Sequence, residues 1–194
     1  MFGRLGIEAL RKYYIWKNNK TNDVLDLKII NWIDGKVIPY NTKVFWGKRS
    51  ASNIKRIVVH QSLGDTTTTS VNKYHIGKNN HISSRGCPHI CYHYAVEKDG
   101  LIIHCNKHTD VVWHCRGQNT NSIGIVVHGN FDGKSHIGGM SPSQNQKDSL
   151  IKLLSYICRM HNIDRKHVHG HNYFGKENCP GDEIFDLLNK FKNS

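Results

Sequence analysis

The sequence predicts an α/β domain: a mixed central β-sheet flanked by helices. Three observations predict it. IKRIVVH (54–60) and SIGIVVHGN (122–130) are short β-branched runs of buried-strand type. CYHYAVEKDGLIIHC (91–105) reads as two strands joined by a Lys-Asp-Gly turn. Stretches of helical periodicity lie between and after these runs, so strands alternate with helices around one hairpin.

Taken in order, residues 1–23 form a basic extension, partly helical in IEALRKYYIWK, and residues 24–194 a single domain with its core motifs at 54–191. Residues 24–53 are short apolar groups broken by turns. The strand at 54–60 stops at His60 and gives way to the polar loop QSLGDTTTT; a helix follows over about 68–78, then a Gly/Pro-punctuated loop through SSRGCPHI. The next helix starts at a capping box, with Ser141 as N-cap, Pro142 at N1 and Gln144 at N3. Leu150, Leu153, Leu154 and Ile157 give it an i, i+3, i+4, i+7 stripe. HVHGH (167–171) is a short strand or turn, and DEIFDLLNKF (182–191) a closing amphipathic helix with acidic residues in its first turn.

The 194 residues make one ordinary domain, or one domain with an appendage. A formal net charge of +12 predicts attraction to a polyanion: nucleic acid, an anionic membrane surface or an anionic wall polymer. No nucleic-acid motif is present, so specific nucleic-acid binding is not expected. No run approaches the ~18 apolar residues of a membrane span. The basic start lacks a continuous apolar segment, which predicts synthesis in the cytoplasm without a signal peptide. There the six cysteines are expected as thiols or ligands. A monomer is expected.

GHNYFGKENCPG (170–181) places a histidine and a cysteine eight positions apart. In a chain with 14 histidines that pairing says little alone. A catalytic zinc site, however, uses three N, S or O ligands and an open fourth position. His60 at a strand end, His171 after Gly170 and Cys179 before Pro180 would supply a His₂Cys set. By residue type, His167 or His169 serves nearly as well as His171. A strand-terminal histidine is by itself more often a surface or hydrogen-bonded residue, and a cysteine before Pro-Gly a small buried hydrophobe. Cys87, Cys91, Cys105 and Cys115 lie near His89, His104 and His114, but C-x₃-C without a second pair is a weak zinc signature. Cys158 belongs to the core side of its helix.

Four motifs occur together in order: IVVHQS, CYHYAVEKDG, WHCRGQNTNSIGIVVHGNF and GHNYFGKENCPGD. In this the chain resembles the zinc-dependent N-acetylmuramoyl-L-alanine amidases, a family that includes short phage amidases and animal peptidoglycan recognition proteins. The resemblance spans roughly residues 45–191. It implies a mixed sheet flanked by helices, one catalytic zinc ion, and cleavage of the amide between the lactyl group of N-acetylmuramic acid and L-alanine in bacterial peptidoglycan. Position by position, it implies His60, His171 and Cys179 as the metal ligands. The family's active-site tyrosine falls on Tyr92, and the histidine of its Gly-Ala-His motif on His114.

Two departures stand out. Many members carry lysine, or threonine, two residues before the last ligand; here Glu177 stands there, with Lys176 one step earlier. Some bacterial members use a glutamate as general base where this chain has Val126. The implied chemistry needs a donor for the tetrahedral oxyanion, with Tyr92 first and His114 second, and a proton for the leaving nitrogen from Tyr92, His114, Glu177 or Lys176. Asn121 and Thr66 are candidate substrate contacts. The expected role is that of a phage or prophage lytic enzyme, an endolysin, acting on the cell wall after release by a holin or delivery with a virion. The competing readings are a non-catalytic peptidoglycan-binding module of the same fold and a cytoplasmic muropeptide-recycling amidase.

Overall fold

Period-two alternation decides the two faces of the central sheet. The computed structural model describes residues 14–15, 27–33, 40–133 and 139–194. Its strands are β1 (Tyr14–Ile15), β2 (Lys28–Asn31), β3 (Gly47–Lys48), β4 (Arg56–Gln61), β5 (Tyr94–Val96), β6 (Ile102–His104), β7 (Asp110–Val111), β8 (Ser122–Val127) and β9 (Val168–Gly170). The helices are α1 (Thr68–Ile76), α2 (Gln144–His161) and α3 (Asp182–Lys192). Seven strands form one sheet in the order β1-β2-β6-β5-β8-β4-β9, and β3 pairs with β7 separately. The β5, β8, β4 and β9 strands run parallel, whereas β6 is antiparallel to β5 as the Lys-Asp-Gly turn requires.

Ile57 and Val59 of β4, Ile123, Ile125 and Val127 of β8, and Tyr94 and Val96 of β5 share one face. Leu150, Leu153, Leu154 and Ile157 of α2 close it, with Ile184, Leu188 and Phe191 of α3. The predicted stripe is thus the buried one, each of its side chains contributing about 1.5–3 kcal/mol. The opposite face carries Ala95, Ile103 and Val126, packed with Ile90, Trp32, Val71 and Tyr92. That face also holds a further β4 position, His60, the register partner of Val126.

Two expectations shift. The capping box of α2 is formed by Ser143 and Gln146, two residues later than the Ser141–Gln144 pair read from sequence. Tertiary partners select it: Ser143 Oγ donates to the Lys98 carbonyl at 2.7 Å and Gln146 Nε2 to the His128 carbonyl at 2.8 Å. Tyr14–Ile15, inside the stretch read as a partly helical extension, pairs antiparallel with β2 at the sheet edge. The rest of that stretch lies outside the described residues. No helix among the described residues is long and apolar enough to cross a membrane.

Candidate metal centre

Two parallel neighbours bring the ligands together. His60 is the fifth residue of β4, only 2% exposed. Gly170 ends β9 in register with Val59, so the chain leaving β9 sets His171 beside His60, ring centroids 4.4 Å apart. A 3-10 turn (His171–Phe174) then reverses the chain. Asn172 N donates to the Cys179 carbonyl at 2.5 Å, and Cys179 N to the Lys176 carbonyl at 2.8 Å, folding the loop back on itself. Gly170 permits this: a Cβ there would lie 2.5 Å from both Pro180 Cδ and Asn172 Oδ1. Gln61 fastens the loop to β4, its backbone N–H donating to Cys179 Sγ at 3.4 Å and its side chain donating to the Asn178 carbonyl.

The donor atoms of His60, His171 and Cys179 lie within 4.8 Å of one another. Two imidazoles and a thiol at that separation fit a zinc ion, whose ligands stand at about 2.0–2.3 Å and leave a fourth position open. Burial holds His60 well below its ordinary value, reinforced by His114 and His171. Burial likewise lowers His171 to about 4, with Lys176 contributing, so both rings are neutral and able to ligate near pH 7. Burial pushes the Cys179 thiol up to about 12, against the Gln61 N–H. A bound cation reverses that logic and holds the sulfur as thiolate. His167 is exposed, and His169 stacks on Tyr173 at 4.1 Å, so of the three neighbouring histidines only His171 joins the set. It is the sole such set among the described residues, and Cys87 and Cys91 do not build a second one.

Tyr92 and His114 flank His60, with ring centroids 5.1 and 5.3 Å from it. Burial raises the Tyr92 phenol above its ordinary value, with Cys179 and Cys91 adding to the shift, so it stays protonated and is a donor. His114 is not a solvated loop residue: it is 7% exposed, and its Nδ1 stands 3.1 Å from His60 Nε2. Val126 is the register partner of His60 and is fully buried, so no carboxylate occupies that position. Lys176 and Glu177 are both exposed on the turn between the second and third ligands. Of the two, Lys176 is the one whose charge reaches the centre, lowering both His171 and Cys179. Thr66 stands on the loop after β4, its hydroxyl donating to Ser62 Oγ at 2.7 Å and meeting His128 Nδ1 at 3.0 Å. Asn121 precedes β8, at the far end of that strand from Val126, with its side-chain oxygen buried and without a hydrogen-bond partner.

Several supporting residues escape motif reading. Asn106 donates to the carbonyls of Ile90 and Tyr92, each at 2.7 Å, and accepts from Trp46 Nε1 at 2.8 Å, which fixes the backbone that presents Tyr92. Arg49 donates to the carbonyls of His108, Asn119 and Ser122 and lies 3.0 Å from His93 Nε2. His93 is wholly buried, and its Nδ1 accepts from Gly124 N at 3.0 Å. No local pattern singles it out: Tyr92 and Tyr94 pack in different apolar clusters, so CYHY breaks the alternation of a regular strand.

The family described as N-acetylmuramoyl-L-alanine amidase matches residues 50–182, more than half of the chain. A search of curated proteins returns no match. Among solved structures, N-acetylmuramoyl-L-alanine amidase LysC from Clostridium intestinale URNW is 24% identical with a TM-score of 0.63, covering 84% of this chain and 96% of its own. The Ph2119 endolysin from Thermus scotoductus MAT2119 bacteriophage is 21% identical with a TM-score of 0.65, covering 85% and 99%. Drosophila peptidoglycan recognition protein SA is 15% identical with a TM-score of 0.66, covering 84% and 91%. At these identities the structural likeness speaks for the fold. With the matched motifs and the convergent His₂Cys donors, the chain belongs to the N-acetylmuramoyl-L-alanine amidase family and is a metal-dependent amidase of peptidoglycan.

Proposed function

We propose that the chain is an endolysin-type amidase that holds one zinc ion on His60, His171 and Cys179 and cuts the bond between the lactyl group of N-acetylmuramic acid and L-alanine. The observation that carries this reading is the convergence of those three donors within 4.8 Å beside the Tyr92 ring. Zinc, when bound, supplies Lewis acidity and activates water at neutral pH. The protein supplies the rest. Tyr92, protonated and placed by Asn106, donates a hydrogen bond to the oxyanion that develops on the lactyl carbonyl, worth about 2.7–4 kcal/mol for one well-aimed donor. Lys176, the cation beside the ligand turn, is the first candidate to protonate the leaving nitrogen, ahead of Glu177. Thr66, at the ligand end of β4, shapes the loop on which substrate rests, whereas the buried side-chain oxygen of Asn121 lies at the other end of β8, away from the metal centre.

The +12 charge suits attraction to a wall rich in carboxylates and phosphates. In this reading the enzyme is made in the cytoplasm and meets peptidoglycan after holin-dependent release or virion delivery. Mass spectrometry of muropeptides after digestion of purified wall tests the reaction. Free L-alanine amino termini with intact muramic acid support it, and cleavage only within the glycan or the cross-bridge refutes it.

A further inference from the structure

The metal centre continues behind His60. Ser122 Oγ donates to the Gln118 carbonyl at 2.6 Å. A hydroxyl has one hydrogen, so toward His114 Nε2, 3.1 Å away, Ser122 is an acceptor and that nitrogen carries the proton. A neutral imidazole has a single N–H, which leaves His114 Nδ1 bare. It faces His60 Nε2 at 3.1 Å, and this contact is a hydrogen bond only if His60 carries its proton on Nε2. The remaining nitrogen, His60 Nδ1, is then unprotonated, and it is the one that faces Cys179 Sγ, 3.9 Å away.

We infer that His114 is a positioning residue of the metal centre: the chain from the Gln118 carbonyl through Ser122 and His114 locks His60 in the tautomer whose Nδ1 is free to bind zinc. The inference rests on the metal-centre reading above and adds to it which nitrogen ligates and what fixes it. Ligating imidazoles commonly donate their second N–H to such a partner, which sets ring orientation as well as tautomer. Here the partner is a second imidazole, so the tautomer is set two hydrogen bonds away, at a serine. With both ring nitrogens engaged, His114 has no donor left for substrate and leaves the list of proton donors. Its seat is built for the task. The ring lies flat against β8 at Gly124, where a Cβ would come 2.4 Å from His114 Cγ. Arg49 anchors the Asn119–Ser122 stretch from below through two carbonyls.

The test uses the full chain and zinc itself. Zinc affinity is measured by competition with a chromophoric chelator, and histidine tautomers by ¹⁵N NMR of the zinc-free protein. Wild type should show His60 and His114 both protonated on Nε2. His114→Ala should weaken zinc about 10–100-fold, and His114→Asn, whose Oδ1 restores an acceptor near Nδ1, should recover most of that loss. A folded His114→Ala chain with wild-type zinc affinity, or a wild-type His60 protonated on Nδ1, overturns the inference. If His114→Ala does not fold, Ser122→Ala reads the same chain: several-fold weaker zinc supports it, and unchanged zinc with unchanged tautomers overturns it. A wild-type chain that takes up no zinc, or a Cys179→Ala chain that binds it as tightly, refutes the metal centre itself instead.

Discussion

Two groups of histidines occupy opposite faces of the same sheet, and only one of them is the candidate metal centre. On the helix-covered face Tyr94 stacks on His104 at 4.4 Å, its hydroxyl lies 2.7 Å from His108 Nε2, and His108 Nδ1 lies 2.6 Å from His161 Nε2. On the other face His60 meets both His114 and His171, and the donors of His60 and His171 converge with Cys179. The difference lies in where the lone pairs point. Burial keeps Tyr94 protonated, so it donates to His108, which in turn donates to His161, and these rings build no metal-ligating set among the described residues. At the metal centre the hydrogen-bond chain arrives from behind and ends at His60, leaving its forward nitrogen to face a sulfur. Histidine density therefore measures little. Convergence of bare nitrogens on a common point, with a thiol, makes a metal site.

The strongest way to break this comparison is to remove one member of each group. Cys179→Ala should lose bound zinc and bring wall hydrolysis down to background, whereas His108→Ala should keep one zinc per chain, read by elemental analysis. A His108→Ala protein without zinc would sink the contrast. Next in size, Tyr92→Phe should retain zinc yet lose on the order of 10²–10³ in kcat, the cost of one oxyanion donor. A kcat unchanged within twofold would remove Tyr92 from the chemistry. Gly124→Ala should cost about 1–3 kcal/mol of stability through overpacking and loosen zinc as well, because its methyl group displaces His114. Calorimetry with and without zinc separates the two effects.

The mildest probe is acid. His108 is lowered from its ordinary 6.5 to about 3, first by burial and then by His104, His161 and Arg49. Below pH 6.5 the unfolded chain takes up a proton that the native chain refuses, so stability falls as pH drops from 6.5 toward about 3. One such group contributes at most about 1.4 kcal/mol per pH unit. Urea unfolding of zinc-free His108→Gln across that window should show a shallower slope than wild type, and an unchanged slope would mean that His108 is not the group responsible.

Much of the scaffold was legible because it is written in periodicity. IVVH and SIGIVV read as buried strands since every residue faces one apolar layer or the other, and the leucine stripe of α2 has a single sensible orientation. The start of α2 was misplaced for a plain reason. SPSQNQ contains S-x-x-Q twice, from Ser141 and from Ser143, and only the Lys98 and His128 carbonyls, distant in sequence, choose between them. The ligands were legible as a set through ordered motifs, whereas composition alone left His167, His169 and His171 level. Asn106, Arg49, His93 and Ser122 were invisible for the same reason as the cap: their work is done through backbone carbonyls and ring nitrogens contributed by other parts of the fold.

His60 and Cys179 stand 119 residues apart in the chain. An ion shared between them is therefore also a cross-link, tying the strand that starts the core to the loop that precedes the last helix. For a covalent link, chain-entropy reasoning assigns a closed loop of that length about 5 kcal/mol of effect on the unfolded ensemble. A metal clip differs from a disulfide in needing no oxidising compartment to form, and in being set by ambient zinc instead of redox potential. The same ion that prepares the chain for its chemistry would thus slow its unravelling, and the protein's lifetime among proteases would follow the zinc supply of whatever surroundings it enters.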